Sequence, residues 1–351
     1  MKDLITDANF PRTLDQRVYH LGIRAGEVAN RIVTVGSPSR AERIATFLDA
    51  SPKPFRLSTE RGFLTITGRY KGTPLSIVSI GMGSANMDFF VREVRESLSG
   101  DMVVVRLGSC GGLIDTPVGT VVVPKTSIAV TRNYDYNFLT GESDEPPYRF
   151  SKPVSADLEL RAAVSKALQE HLPPTVHTGV ITDTINASTD SFYSSQGRQT
   201  SFPDHNSGII EQLKAKYENL ATFEMETFHM LHLAASWPTD AHSAQTAVPP
   251  LSDRPSSPAI SEAELSTPQH PPADVHVAAR DGKTLVPRPR IRAASAQIIF
   301  AARNSRDFIT PQQVEQIENW CGVAVLEALR TFEIKPERLH TDEGSVWEAV
   351  L

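Results

Sequence analysis

Two hydrophobic rhythms alternate along this chain, and their alternation predicts its architecture. From Arg31 onward, short runs that are apolar throughout follow stretches whose apolar residues return every three or four positions. That is the pattern of an α/β domain whose sheet is buried on both faces. Residues 31–36 (RIVTVG) and 102–108 (MVVVRLG) read as buried strands, and 120–130 (TVVVPKTSIAV), 177–184 (HTGVITDT) and 291–303 (IRAASAQIIFAAR) read likewise. Residues 63–81 form two apolar runs around Lys71 and Gly72, which predicts a β-hairpin. Helical spacing marks 39–49, with Ser39 and Glu42 placed for a capping box, and also 156–172, which Pro173 and Pro174 terminate. A further helix is expected over 223–236. The last opens at Thr310, with Pro311 in its first turn and Gln313 completing a capping box. Val314, Ile317, Cys321, Ala324 and Ala328 share one face of it.

One segment breaks the rhythm. Between Pro238 and Arg292 there is no aromatic residue other than histidine, and ten of the chain's 25 prolines fall there. Such a stretch buries too little apolar surface to offset its ordering entropy. The expected organisation is an N-terminal extension (1–17), one domain built from 18–236 and 293–335, a disordered Pro/Ser-rich insertion (237–292) and a C-terminal tail (336–351).

Composition narrows the function. Hydrophobic residues make up 40% of the 351, and 35 basic against 41 acidic residues give a formal charge of −6. That balance supplies no general attraction to nucleic acid or to anionic membrane. Two cysteines, Cys110 and Cys321, are too few for a disulfide framework. No signal peptide or membrane-length apolar run is evident, so the expected location is the cytoplasm. No cluster has metal-ligand spacing.

Four motifs carry chemistry. Gly36-Ser37-Pro38-Ser39-Arg40 joins a strand to a helix, where bare backbone N–H groups and a positive dipole favour an anion. An ordinary strand-to-helix turn has the same composition. Arg106-Leu107-Gly108-Ser109-Cys110-Gly111-Gly112 ends an otherwise apolar strand, and a buried arginine there requires an anionic partner, either a ligand or a structural carboxylate. In Phe192-Tyr193-Ser194-Ser195-Gln196-Gly197-Arg198, the amide and guanidinium suit the O2, N3 and O4 edge of a pyrimidine, with Phe192 available for stacking. Glu224-Met225-Glu226 enters a helix, where a carboxylate can grip vicinal hydroxyls, or can simply favour the helix dipole.

The order of the four closely resembles the nucleoside phosphorylases of the trimeric and hexameric type, from about Val18 to Phe332. The third motif points to the members acting on uridine. The resemblance implies a three-layer αβα fold with a central mixed, partly barrel-like sheet. It also implies reversible cleavage of uridine by phosphate to uracil and ribose 1-phosphate. Phosphate would then be held by Gly36, Arg40, Arg106 and Ser109, with Arg61 reaching in from a neighbouring subunit. Uracil would be read by Phe192, Gln196, Arg198 and Arg303, and ribose gripped by His20, Met225 and Glu226, His20 from across a dimer interface. Arg106, Glu226 and Arg198 would be the catalytic groups. No cofactor or metal is implied, inorganic phosphate being a co-substrate, and the assembly would be a homo-oligomer of dimers, as a hexamer. Ser37 stands where the family has Asp, and Gly62 stands where bacterial members carry a cation-binding Glu. Purine nucleoside cleavage is the nearest alternative, followed by a catalytically silent nucleoside-binding protein; the first Asp after the last strand is Asp307, later than purine-specific members place theirs.

Overall fold

The longest apolar runs occupy the middle of the molecule. In the computed structural model, which describes residues 4–238 and 288–349, every residue of β7 (Met102–Gly112) is buried except Ser109. Parallel strands β3 (Arg31–Val35) and β15 (Ile291–Ala302) flank it. Beyond β3 the sheet runs through β6 (Thr73–Ser79) and β5 (Leu64–Tyr70) to β4 (Phe55–Ser58). The β5–β6 hairpin turns at Lys71 and Gly72, both at positive φ (48° and 78°), as a tight hairpin requires.

The other half of the sheet curls. Gly111 and Gly112 leave β7 to pair antiparallel with β14 (Leu220–Glu224), which joins β13 (Ile185–Thr189) and then β9 (Thr126–Arg132). Two short strands, β8 (Val121–Val123) and β12 (Val180–Thr182), continue β9 and β13 past a shared kink, where Lys125 N–H donates to the Thr184 carbonyl (2.9 Å). β8 then pairs with β15, so the path returns to β7 as a barrel-like ring. The result is a mixed sheet of 13 strands, partly closed as the resemblance implied.

Alternate residues of the central strands face opposite helix layers. Val103, Val105 and Leu107 pack with α1 (Pro38–Ala45), α3 (Leu158–Glu170) and α6 (Pro311–Thr331). Met102 and Val104 point to α2 (Ser84–Glu96) and α5 (Thr227–Ser236). α4 (Ile209–Lys216) closes a third cluster over β9, β13 and β14. The segment after α6 folds back on the domain: Trp347 is fully buried and Arg338 pairs with Asp101 at 2.8 Å. Among the described residues no helix is long and apolar enough to cross a membrane.

Several element assignments change. The run 120–130 is two strands, because Pro124 offers no N–H to the ladder. The strand expected over 177–184 is reduced to β12, ending at Asp183 with φ 60°. Ser37, not Ser39, caps α1: Pro38 fits the first turn, and the Ser37 hydroxyl accepts from Arg40 N–H (3.3 Å). Glu42 pairs with Arg56 instead of closing a capping box. Residues 223–224 end β14, and the helix begins only at Thr227. By contrast α6 carries the expected Thr310–Gln313 capping box. Residues 239–287 of the expected insertion lie outside the described residues; at its edges the Trp237 indole N–H donates to the Pro289 carbonyl (2.7 Å).

Candidate active site

Five strands deliver their carboxyl ends to one place, β15 through Phe300 and Ala301. β3 ends at Gly36, β6 runs out to Gly81 and Met82, β7 brings Arg106 to Gly111, and β14 brings Phe223 and Glu224. The turns after β3, β6 and β14 lead directly into α1, α2 and α5. Helix N-termini and strand ends therefore converge on a cavity of about 450 Å³, where open α/β sheets place their ligands.

Arg106 dominates one end. Its side chain is buried, and Nη2 donates to Glu226 Oε2 at 2.6 Å. Its Nε and Nη1, equally buried, have no hydrogen-bond partner among the described residues. Two orphaned donors on a buried guanidinium are costly unless an acceptor arrives. Gly36 lies by the paired nitrogen of the same guanidinium: a Cβ there would stand 3.8 Å from Arg106 Nη2 and 3.6 Å from the Gly81 carbonyl. Arg40 and Ser109 share the lining. Arg40 donates from Nε to buried Glu318 on α6 (2.7 Å) and from Nη1 to the Leu107 carbonyl (3.3 Å).

Glu226 is held from two sides, accepting at Oε1 from Gly83 N–H (2.6 Å) and at Oε2 from Arg106. It occupies the N-cap position of α5 without capping it. Glu224 does that work: its Oε2 accepts from the N–H groups of Glu226 (2.9 Å) and Thr227 (2.8 Å). Asn186 (2.8 Å) and the Ser188 hydroxyl donate to its other oxygen. Burial, then the neighbouring charge of Glu226, raise the Glu224 pKa. Glu224 thus fixes the turn that presents Met225 and Glu226 to the cavity.

The far end is a planar polar surface. Arg198 Nη1 donates to Gln196 Oε1 (2.5 Å) and to the Phe192 carbonyl (2.7 Å), its guanidinium lying 3.7 Å from the Phe192 ring centroid. Gln196 Nε2 donates to Thr189 Oγ1 (2.9 Å). The amide is therefore oriented from both sides. One Oε1 lone pair and one Nε2 proton remain for a ligand. Burial, then the charge of Arg303, lower the Arg198 pKa to about 10.

Gly36, Arg40, Arg106, Ser109, Phe192, Gln196, Arg198, Met225 and Glu226 all line this cavity. Arg303 does not: its Nη1 grips the Gln196 carbonyl (3.0 Å), which places it behind the base-facing loop. His20 and Arg61 also stand outside the cavity of this chain. His20 Nδ1 is 2.6 Å from Glu93 Oε1 and stacks on Phe89, while Arg61 lies over Tyr19 (4.2 Å). Unforeseen from sequence were Glu224 as a scaffold, Glu318 behind Arg40, and the Gly81-Met82-Gly83 turn. The glycine turn has a sequence signal: Gly-Met-Gly-Ser stands between an apolar run and the amphipathic stretch that becomes α2.

Fold and cavity together define a nucleoside phosphorylase-type α/β enzyme. The profile of the phosphorylase superfamily matches residues 30–238, and the chain belongs to that family. It is 29% identical over 238 residues to a uridine phosphorylase of Thermococcus kodakarensis, across 67% of this chain and 78% of the relative. It is 30% identical over 230 residues to a DeoD-type purine nucleoside phosphorylase of Oceanobacillus iheyensis, across 65% and 85%. Among solved structures, a uridine phosphorylase of the oomycete Phytophthora capsici superposes with a TM-score of 0.75 at 32% identity, covering 94% of this chain and 100% of that one. The nucleoside phosphorylases among its relatives act on a nucleoside and phosphate.

Proposed function

We propose that this protein catalyses the reversible phosphorolysis of uridine to uracil and ribose 1-phosphate. The observation that supports the phosphate half is the buried Arg106 guanidinium, whose Nε and Nη1 nitrogens have no hydrogen-bond partner among the described residues, at a cavity also lined by Gly36, Arg40 and Ser109. Phosphate would accept from those donors, from Arg40 and from Ser109. Arg106 and Arg40 position and neutralise the nucleophile, which needs no general base. Glu226 would accept hydrogen bonds from the ribose hydroxyls, and its charge favours the oxocarbenium-like state as the glycosidic bond stretches. In this scheme neither a metal nor an organic cofactor takes part.

Uracil is favoured by the oriented amide. Gln196 offers an acceptor for N3–H and a donor for a ring carbonyl, and Arg198 would stabilise charge on the departing base. The purine alternative is disfavoured by Asp307, the first acid after β15, whose carboxylate accepts from the exposed Ser305 hydroxyl (2.7 Å) and is absent from the cavity lining. His20 and Arg61 would serve the site of a neighbouring protomer in a homo-oligomer.

Purified protein is assayed with uridine or inosine, with and without phosphate. Phosphate-dependent uracil release is expected. Release without phosphate refutes phosphorolysis, and preference for inosine refutes the base assignment.

A further inference from the structure

Glu318 lies on α6, outside the cavity, yet it meets a cavity arginine in an arrangement that ordinary packing does not require. The Arg40 and Glu318 side chains are each only 7% exposed, and Glu318 Oε1 accepts from Arg40 Nε at 2.7 Å. The other carboxylate oxygen lies 3.4 Å from Arg43 Nε, and Arg43 reaches on to Glu315 (3.2 Å). Glu318 is therefore hydrogen-bonded to Arg40 and ion-paired with Arg43. Arg40 is held at two further points, by the Leu107 carbonyl on Nη1 and by the Phe300 ring, whose centroid is 5.6 Å from its Cζ. Only Nη2 makes no hydrogen bond to the described residues, and Arg40 lines the cavity beside Gly36 and Arg106.

From this geometry we infer that Glu318 is a positioning residue for phosphate, acting through Arg40. The inference rests on the assignment of Arg40 to phosphate in the proposed function. A guanidinium is planar, so fixing Nε and Nη1 fixes where Nη2 points. Glu318 fixes Nε, the backbone of β7 fixes Nη1, and the remaining edge is presented to the anion. Charge alone predicts the opposite outcome: removing a carboxylate next to an anion site should tighten anion binding. Positioning and charge thus give opposite signs for one substitution, which makes the inference decidable.

The test is steady-state kinetics with phosphate and uridine varied separately, for Arg40→Met, Glu318→Leu, Glu318→Gln and the double variant Arg40→Met/Glu318→Leu, with folding checked by circular dichroism. Glu318→Leu is expected to raise the KM for phosphate roughly 10- to 100-fold, as a misplaced charged group does, while the KM for uridine moves by less than about threefold. Glu318→Gln keeps an acceptor for Nε and falls between wild type and Glu318→Leu. In the Arg40→Met background the second substitution adds nothing further to the KM for phosphate. A phosphate KM that is unchanged or lowered overturns the inference, as does an equal rise for both substrates or full additivity in the double variant. Should Glu318→Leu not fold, Glu318→Gln carries the test, and an unchanged phosphate KM there overturns it. An Arg40→Met enzyme with normal phosphate KM removes the premise itself. Absence of phosphate-dependent cleavage by the wild type refutes the proposed function instead.

Discussion

Replacing Arg106 with lysine separates the charge of this residue from its shape. The guanidinium has two distinct sides: Nη2 pairs with Glu226 at 2.6 Å, while the buried Nε and Nη1 have no hydrogen-bond partner among the described residues. A lysine ammonium is one compact charge, able to keep the Glu226 pair but not to reproduce the fork. Arg106→Lys should therefore fold with near-normal stability. Arg106→Met strands the Glu226 carboxylate among buried groups and should cost about 3–5 kcal/mol. The catalytic loss follows from the two donors. Each charge-assisted hydrogen bond is worth about 1.5–3 kcal/mol, so two represent about 3–6 kcal/mol. That corresponds to roughly 10²- to 10⁴-fold in kcat/KM. The assay is uracil release from uridine at varied phosphate, with thermal unfolding measured in parallel. A well-folded Arg106→Lys enzyme retaining more than about a tenth of wild-type kcat/KM would refute the assignment of those donors to phosphate.

Four other outcomes are expected. With Gln196 oriented by Thr189 and Arg198, cytidine, which has an acceptor at N3 and a donor at N4, should be turned over at least about 10³-fold less well than uridine, and comparable rates would show that the amide is not locked. Thr189→Val should lower kcat/KM for uridine by roughly 2- to 12-fold through one lost neutral hydrogen bond, a change visible in the same assay. Gly83 sits at φ 96° with open space around it, so Gly83→Ala meets backbone strain alone and should cost about 1–3 kcal/mol. The resulting backbone shift frees Glu226 from its N–H donor, so the KM for uridine should rise with the fall in Tm; a lower Tm with unchanged KM would unlink the two. The fourth concerns pH. His340 Nδ1 accepts from Ser99 N–H (3.0 Å), and burial, then the charge of Arg95, depress its pKa below the ordinary histidine value. The unfolded chain therefore takes up the proton first, so this stabilisation is complete above about pH 6.5 and is lost as pH falls below it. Urea midpoints between pH 7.5 and 5.5 should fall less steeply in His340→Gln than in wild type, and identical slopes would contradict the assignment.

Strands buried along most of their length were legible in the chain, because a continuous apolar run has few other places to go. β3, β7, β15 and the Lys71-Gly72 hairpin are of this kind, and α6 was legible from its capping box and proline. Helices α2 and α4 were passed over, and β14 was absorbed into the helix after it, because Phe223 and Glu224 have no local signal separating a strand end from a first helical turn. Nine of the residues singled out for the site share one cavity. They were readable because strand-end glycines, a buried arginine and paired glutamates are local features with few structural uses.

Residue types and their order thus determined the class of fold and the inventory of the site. Tertiary structure decided which polar groups already have partners. That Arg106 is satisfied at Nη2 but orphaned at Nε and Nη1 depends on Glu226 arriving 120 residues later. That Arg40 is anchored at Nε depends on Glu318, 278 residues away. Hydrogen-bond satisfaction is a property of distances between elements, and periodicity along the chain carries no record of it.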